Sequence, residues 1–118
     1  MSDNSIEFIF EETDPLGRKV VLKSTTWDEH IKDRHPEKGV DDIKLNISNP
    51  QIIIKDNEHT DREVYLRYVI NNNKLYTNKT VVAFEEKSEN GEVVTNYTLR
   101  KINQTVTEGG VIYDSSKN

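Results

Sequence analysis

The sequence predicts an α+β domain: an N-terminal hairpin and two short helices packed on an antiparallel sheet of four or more strands. Three observations predict it. The stretches Glu63–Ile70 and Val93–Arg100 alternate with the period of two that places successive side chains on opposite faces of a strand. Between them in kind, but earlier in the chain, Trp27/Ile31 and Ile43/Ile47 are spaced four apart, as on one face of a helix. Turn signals at Asp14-Pro15-Leu16-Gly17, Asn71-Asn72-Asn73 and Asn90-Gly91 then divide the chain into a hairpin, a helical section and a β meander.

Ile6–Phe10 is rich in β-formers and reads as the first strand, with Val20–Leu22 as its return after the Pro/Gly turn. Thr26-Trp27-Asp28-Glu29 fits a capping box, so a helix is expected from Trp27 to Arg34, stopped by Pro36. A second helix of about two turns begins near Asp41-Asp42 and ends at Asn49-Pro50. Gln51–Lys55 is a short strand and Asp56–Asp61 a polar loop. In Glu63–Ile70, Val64, Leu66, Tyr68 and Ile70 share one face. Thr80–Glu86 carries the apolar run of a central strand covered on both sides. Asn90-Gly91 is the strongest hairpin signal. Beyond it Val93, Thr95, Tyr97 and Leu99 alternate with Val94, Asn96, Thr98 and Arg100. Val111–Tyr113 suggests a last strand, with Asp114–Asn118 frayed.

Composition narrows the function. The chain has 118 residues, room for a single domain (1–118, core about 6–113) and one small site. No cysteine is present, which removes disulfides, thiolate metal sites and a cysteine nucleophile. Val81–Phe84 is the longest apolar run, too short for a membrane span, and Met1–Ser5 has no secretory character, so a cytoplasmic protein is expected. The triplets at Asn46, Asn78, Asn96 and Asn103 match glycan acceptors by chance in this reading. The net charge of −5 opposes nonspecific spreading over nucleic acid, leaving only a local basic cleft for such a partner. Without a Gly-rich phosphate loop or helical metal-ligand spacing, no metal and no cofactor is expected.

On a helical wheel His30 and Arg34 border the stripe of Trp27 and Ile31, and His35 is forced out of the helix by Pro36. Imidazoles can give and take protons near neutrality, and a guanidinium can hold a phosphate oxyanion. Those are the parts needed to cleave RNA without a metal. The residues alone leave open that His30 packs, that His35 favours the helix dipole and that Arg34 pairs with an acid. His59 lies in the polar loop near Asp56, Glu58 and Asp61, where it reads as solvated or as part of a weak surface cation site. Tyr68 and Thr95 read equally as strand residues or as hydroxyls for a phosphate oxygen.

Trp27–Ile31, Arg34-His35-Pro36-Glu37, Ile47–Ile53, Tyr65–Tyr68, Val81–Phe84 and Val93–Tyr97, in this order, resemble the barnase–EndoU–colicin–RelE superfamily of ribonucleases, in particular its phage-associated branch. The resemblance runs from about Val20 to Tyr113. It implies a metal-independent endonuclease that cleaves structured RNA, such as tRNA, by 2′-OH attack to a 2′,3′-cyclic phosphate. It implies His30, His35, Tyr68 and Thr95 as site residues, and for a toxin a cognate antitoxin or immunity protein. Arg34, Arg67, Lys79, Arg100 and Lys101 are the cations expected to supply phosphate contacts beside the histidines, with Asp28-Glu29, Glu85-Glu86 and Glu89 facing elsewhere. The alternative is a catalytically inactive interaction protein of the same fold, binding a protein or RNA partner. Asn96 departs from the small residue usual after the Thr, and the acidic balance departs from the basic character common in such nucleases.

Overall fold

The computed structural model describes residues 7–31, 39–99 and 110–117. Strands β1 (Phe8–Thr13), β2 (Lys19–Lys23), β3 (Ile52–Lys55), β4 (Arg62–Asn71), β5 (Lys74–Ala83), β6 (Gly91–Leu99) and β7 (Val111–Asp114) form one sheet. Their order is β1-β2-β6-β5-β4-β3-β7. Between β2 and β3 lie α1 (Ser24–Thr26), a π-helical turn (Trp27–Ile31) and α2 (Val40–Ser48). The sheet is mixed and not wholly antiparallel, because β2 runs parallel to β6 through Val20↔Gly91 and Val21↔Glu92. The long connection from β2 to β6 lets the opening hairpin return alongside the meander in that sense.

The opening turn obeys its local chemistry. Gly17 takes a φ of +82°, and the Asp14 side chain accepts backbone N–H bonds from Leu16 (3.0 Å) and Arg18 (2.9 Å). The β4–β5 turn places Asn72 and Asn73 at φ 53° and 61°, the paired left-handed geometry of a two-residue hairpin loop. That turn fixes an unbroken register from Asn71↔Lys74 to Arg62↔Ala83. It also extends β5 back to Lys74, six residues before the expected Thr80, through a polar segment whose composition does not announce a strand.

Four expectations are corrected. The Thr26–Glu29 capping box does not form: Thr26 is already helical, and Lys23, extended at the end of β2, takes the cap position without a side-chain bond. The following turn widens to π geometry, with Ile31 buried and Trp27 half-buried against the core; the expected continuation to Arg34 lies outside the described residues. Asn90-Gly91 is not a hairpin turn, since residues 84–90 join the strands and Gly91 opens β6. Its glycine answers a close approach: a Cβ there would stand 2.6 Å from the Phe84 ring. The tail from Asp114 to Lys117 is ordered, with Ser115–Lys117 in a short helix and the Asp114 carboxylate accepting from the Ser116 hydroxyl at 2.7 Å.

The main core lies on the sheet face covered by the helices. It joins Phe10, Val20 and Leu22 of the hairpin, Ile31, Ile43 and Ile47 of the helices, and Ile53, Tyr65, Val82 and Val93 of the sheet. Full burial of Ile43 and Ile47 contributes about 1.5–3 kcal/mol each. Asn46, on the same side of α2, is also buried; its Nδ2 donates to the Tyr65 carbonyl, the Asn78 carbonyl and Thr80 Oγ1. Asn96 Nδ2 donates to Asn78 Oδ1 (2.6 Å) and Thr80 Oγ1 (2.8 Å). Asn46, Asn78 and Asn96 are thus a buried amide network inside the domain. The second face carries a smaller cluster of Ile54, Val64, Leu66 and Val81, with Ile52 and Val94 against it.

Candidate functional site

A β-bulge decides which β6 side chains reach this second face. Val82 pairs with Val93, but the preceding Val81 pairs with Thr95, so Val94 is the extra residue. Val93 therefore joins the main core, whereas Thr95 and Tyr97 point the other way; the expected single alternation from Val93 to Leu99 is broken here. Lys79 faces Tyr97 on β6 and Leu66 on β4. The bulge converts a core strand into one that ends in a polar site.

That site is a cleft of about 310 Å³. Its floor is Lys79 and Val81 of β5 with Thr95 and Tyr97 of β6, and its wall is Arg62 with the β3–β4 loop from Asp56 to His59. The loop is held in shape by its own backbone. Asp56 N–H donates to the Arg62 carbonyl (3.1 Å), Arg62 N–H to the His59 carbonyl (3.1 Å), and Glu58 N–H to Asp56 Oδ1 (2.8 Å). Among the described residues Thr95 Oγ1 is buried without a hydrogen-bond partner, as are Asn46 Oδ1, Asn96 Oδ1 and Thr98 Oγ1 elsewhere in the domain. A buried hydroxyl without a partner carries a desolvation cost that a ligand oxygen can remove. Neither Arg62 nor Lys79 forms an ion pair with a described carboxylate.

Of the residues nominated from sequence, the structure brings Lys79 and Thr95 together. Tyr68 lies on the same face of β4 but outside the cleft, 40% exposed. Arg67 points to the helix side, where its Nη1 donates to the Asn49 carbonyl at 2.6 Å and holds the end of α2. The π turn that includes His30 packs on the helix-bearing face through Ile31 and Trp27, while Thr95 serves the opposite face. The side chain of His30, and Arg34, His35, Arg100 and Lys101 entirely, lie outside the described residues. The imidazole of the Thr95 cleft is His59, with Arg62 beside it. Sequence reasoning read His59 only as solvated or as part of a weak surface cation site and did not single out Arg62, because a six-residue polar loop gives no sign of which strands it folds against. Asp56 and Glu58 also line the cleft, whereas the expected separation of Asp28-Glu29, Glu85-Glu86 and Glu89 from a cation cluster beside His30 and His35 involves side chains outside the described residues.

A second polar cluster lies under the opening hairpin. Arg18 makes a fork to Glu63 (2.7 and 3.0 Å), reaches Asp14 through Nε (2.9 Å) and lies 4.2 Å over the Phe84 ring. Tyr65 Oη donates to Asp14 Oδ2, and burial followed by this carboxylate pushes the phenol well above its ordinary range. Arg18 is also held more firmly protonated than usual: burial opposes its charge, and the Glu63 hydrogen bonds with the surrounding negative charges outweigh it. Every member is engaged with the others, so this cluster is a structural tie.

Among the described residues no group of three or more His, Asp or Glu is placed to hold a metal ion, and no helix is long and apolar enough to cross a membrane. No family model matches the chain, and neither a curated protein nor a solved structure does. The fold and the cleft define an α+β protein with a polar site on the sheet face away from its helices.

Proposed function

We propose that the domain has the ribonuclease-superfamily arrangement its sequence resembles and cleaves RNA at the His59–Lys79–Thr95 cleft, without a metal. The observation that carries this reading is the gathering in one cleft of two cations that pair with no described carboxylate, Arg62 and Lys79, a hydroxyl without a partner among the described residues, Thr95 Oγ1, and an imidazole, His59. A phosphodiester answers all of them. Its nonbridging oxygens accept from Arg62, Lys79 and Thr95, and the cations stabilise the charge that builds at phosphorus.

In the reaction the ribose 2′-oxygen bonds to phosphorus as its proton passes to a base, and the bond to the 5′-oxygen breaks as an acid protonates it. The product is a 2′,3′-cyclic phosphate and a free 5′-hydroxyl. His59 is one of the two proton-transfer groups, and the carboxylates of Asp56 and Glu58 on the same loop supply the other. The non-catalytic alternative, a binding module on this fold, is favoured by those same two acids, which balance Arg62 and Lys79 in number. Incubating the protein with RNA in excess chelator separates the two. Cyclic-phosphate products that disappear in His59→Ala support cleavage, and intact RNA with bound protein supports the binding module.

A further inference from the structure

We propose that the free end of the β4–β5 hairpin docks a protein partner: an extended acidic segment with apolar side chains, which adds as a short strand along the outer edge of β4. This surface is separate from the cleft, and its occupancy does not depend on RNA cleavage. Neighbouring strands support only the lower part of the hairpin. β3 pairs with β4 no farther than Ile52↔Leu66, and β6 with β5 no farther than Thr77↔Leu99, whereas β4 and β5 pair on to Asn71↔Lys74. Among the described residues, Arg67–Asn71 and Lys74–Tyr76 are therefore a two-stranded ribbon. Its apolar side chains are open to solvent: Ile70 is 75% exposed, Leu75 54%, Tyr68 40% and Val69 36%. Ile70 and Leu75 are directly opposite each other and make one continuous patch.

The backbone selects the edge. Tyr68 N–H donates to the Gln51 side-chain oxygen, so it points away from β5, to the side where β3 has ended. The alternation of an antiparallel pair gives Ile70 the same direction. Its N–H and C=O prolong that edge, and no described residue bonds them. Such an edge is a template for another strand, whose side chains the neighbouring apolar surface then selects. Charge selects the partner. From Val64 to Phe84 the hairpin has no Asp or Glu, in a chain with 21 acidic residues. Lys74 is exposed at its end, and Arg67, which gives one N–H to the Asn49 carbonyl, keeps further donors beside the β4 edge. The first turn of α2, with Asp41 and Asp42, lies by β5 instead, where Asn78 Nδ2 donates to the Asp42 carbonyl at 3.2 Å. A lipid surface suits this end less well, because Asn71-Asn72-Asn73 would enter first and the open backbone edge would lose its water.

The test is an NMR titration of the full chain with a synthetic peptide of alternating aspartate and valine, beside one of alternating lysine and valine. The acidic peptide is expected to shift the amide signals of Tyr68, Ile70 and Leu75 and to bind more tightly than the basic one. Ile70→Ser is expected to weaken binding by about tenfold or more, and Lys74→Glu by about two- to fivefold. Both side chains are exposed, so melting curves are expected to show both variants folded. No shift at these amides with millimolar acidic peptide, equal binding of the basic peptide, or wild-type affinity in both variants would overturn the proposal. Vesicles of phosphatidylserine and phosphatidylcholine are expected to leave the hairpin signals unchanged. Loss of those signals on vesicles would make the surface a lipid site and overturn it as well.

Discussion

Tyr65 Oη donates to Asp14 Oδ2 at 2.5 Å, tying the centre of β4 to the turn of the opening hairpin across 51 residues of sequence. The same carboxylate group receives Arg18 Nε and two turn amides. One buried acid thus closes the β1–β2 turn and anchors it to the sheet.

Removing this tie should be costly and pH-specific. Tyr65→Phe is expected to lower stability by about 1–3 kcal/mol, because Asp14 stays buried with one donor fewer. In the wild type the folded phenol resists ionisation, so its stabilising contribution is complete below the unfolded tyrosine range near 10 and declines as pH rises past it. Absorbance titration should find one of the five tyrosines ionising only as the alkaline protein unfolds. Five ordinary phenols in the folded state would contradict it.

The Phe84 ring sets the identity of residue 91. Gly91→Ala brings a methyl to 2.6 Å from that ring, which Arg18 covers on one side, and is expected to destabilise by about 1–3 kcal/mol. Adding Phe84→Leu should make the pair less harmful than the sum of the single changes. Urea midpoints of the four proteins measure this coupling.

Asn46 bridges α2 to three acceptors of the sheet, so Asn46→Ala leaves buried partners without a donor. A loss of about 1–3 kcal/mol is expected, read as a lower urea midpoint at unchanged slope. Asn46→Asp, which keeps the shape and loses the donor, should be no better.

Lys79 is a phosphate contact in this account. Lys79→Ala should weaken binding of every RNA sequence alike and reduce the slope of log K against log salt by about 0.7, the value of one contact on a single strand. Unchanged salt dependence would remove Lys79 from the binding surface.

Much of the fold is legible in the sequence, and the reasons are local. The Asp14–Gly17 turn, Ile43 and Ile47 on α2, and the alternation of Val64, Leu66, Tyr68 and Ile70 each carry their own short-range signal. The parallel β2–β6 pair, the Val94 bulge and the Phe84–Gly91 contact carry none, because each depends on a partner far away in the chain. The bulge matters most for function: it turns Thr95 away from Val93, toward Lys79 and the loop of His59. Lys79 and Thr95 were visible as candidates, whereas His59 and Arg62 acquire meaning only when the β4–β5–β6 register is known. The Asn46, Asn78 and Asn96 triplets have a role in packing that no motif conveys.

The central claim is chemistry at His59, and the most direct measurement is cleavage of single-stranded RNA by wild-type, His59→Ala, His30→Ala and His35→Ala proteins in excess EDTA. The account predicts 2′,3′-cyclic phosphate ends, a bell-shaped pH profile for the wild type and a loss of about 10²- to 10⁴-fold in His59→Ala. Full activity in His59→Ala, with the loss falling instead on His30→Ala and His35→Ala, would place the chemistry elsewhere and contradict it; so would cutting that stops in EDTA, or RNA left uncut by the wild type.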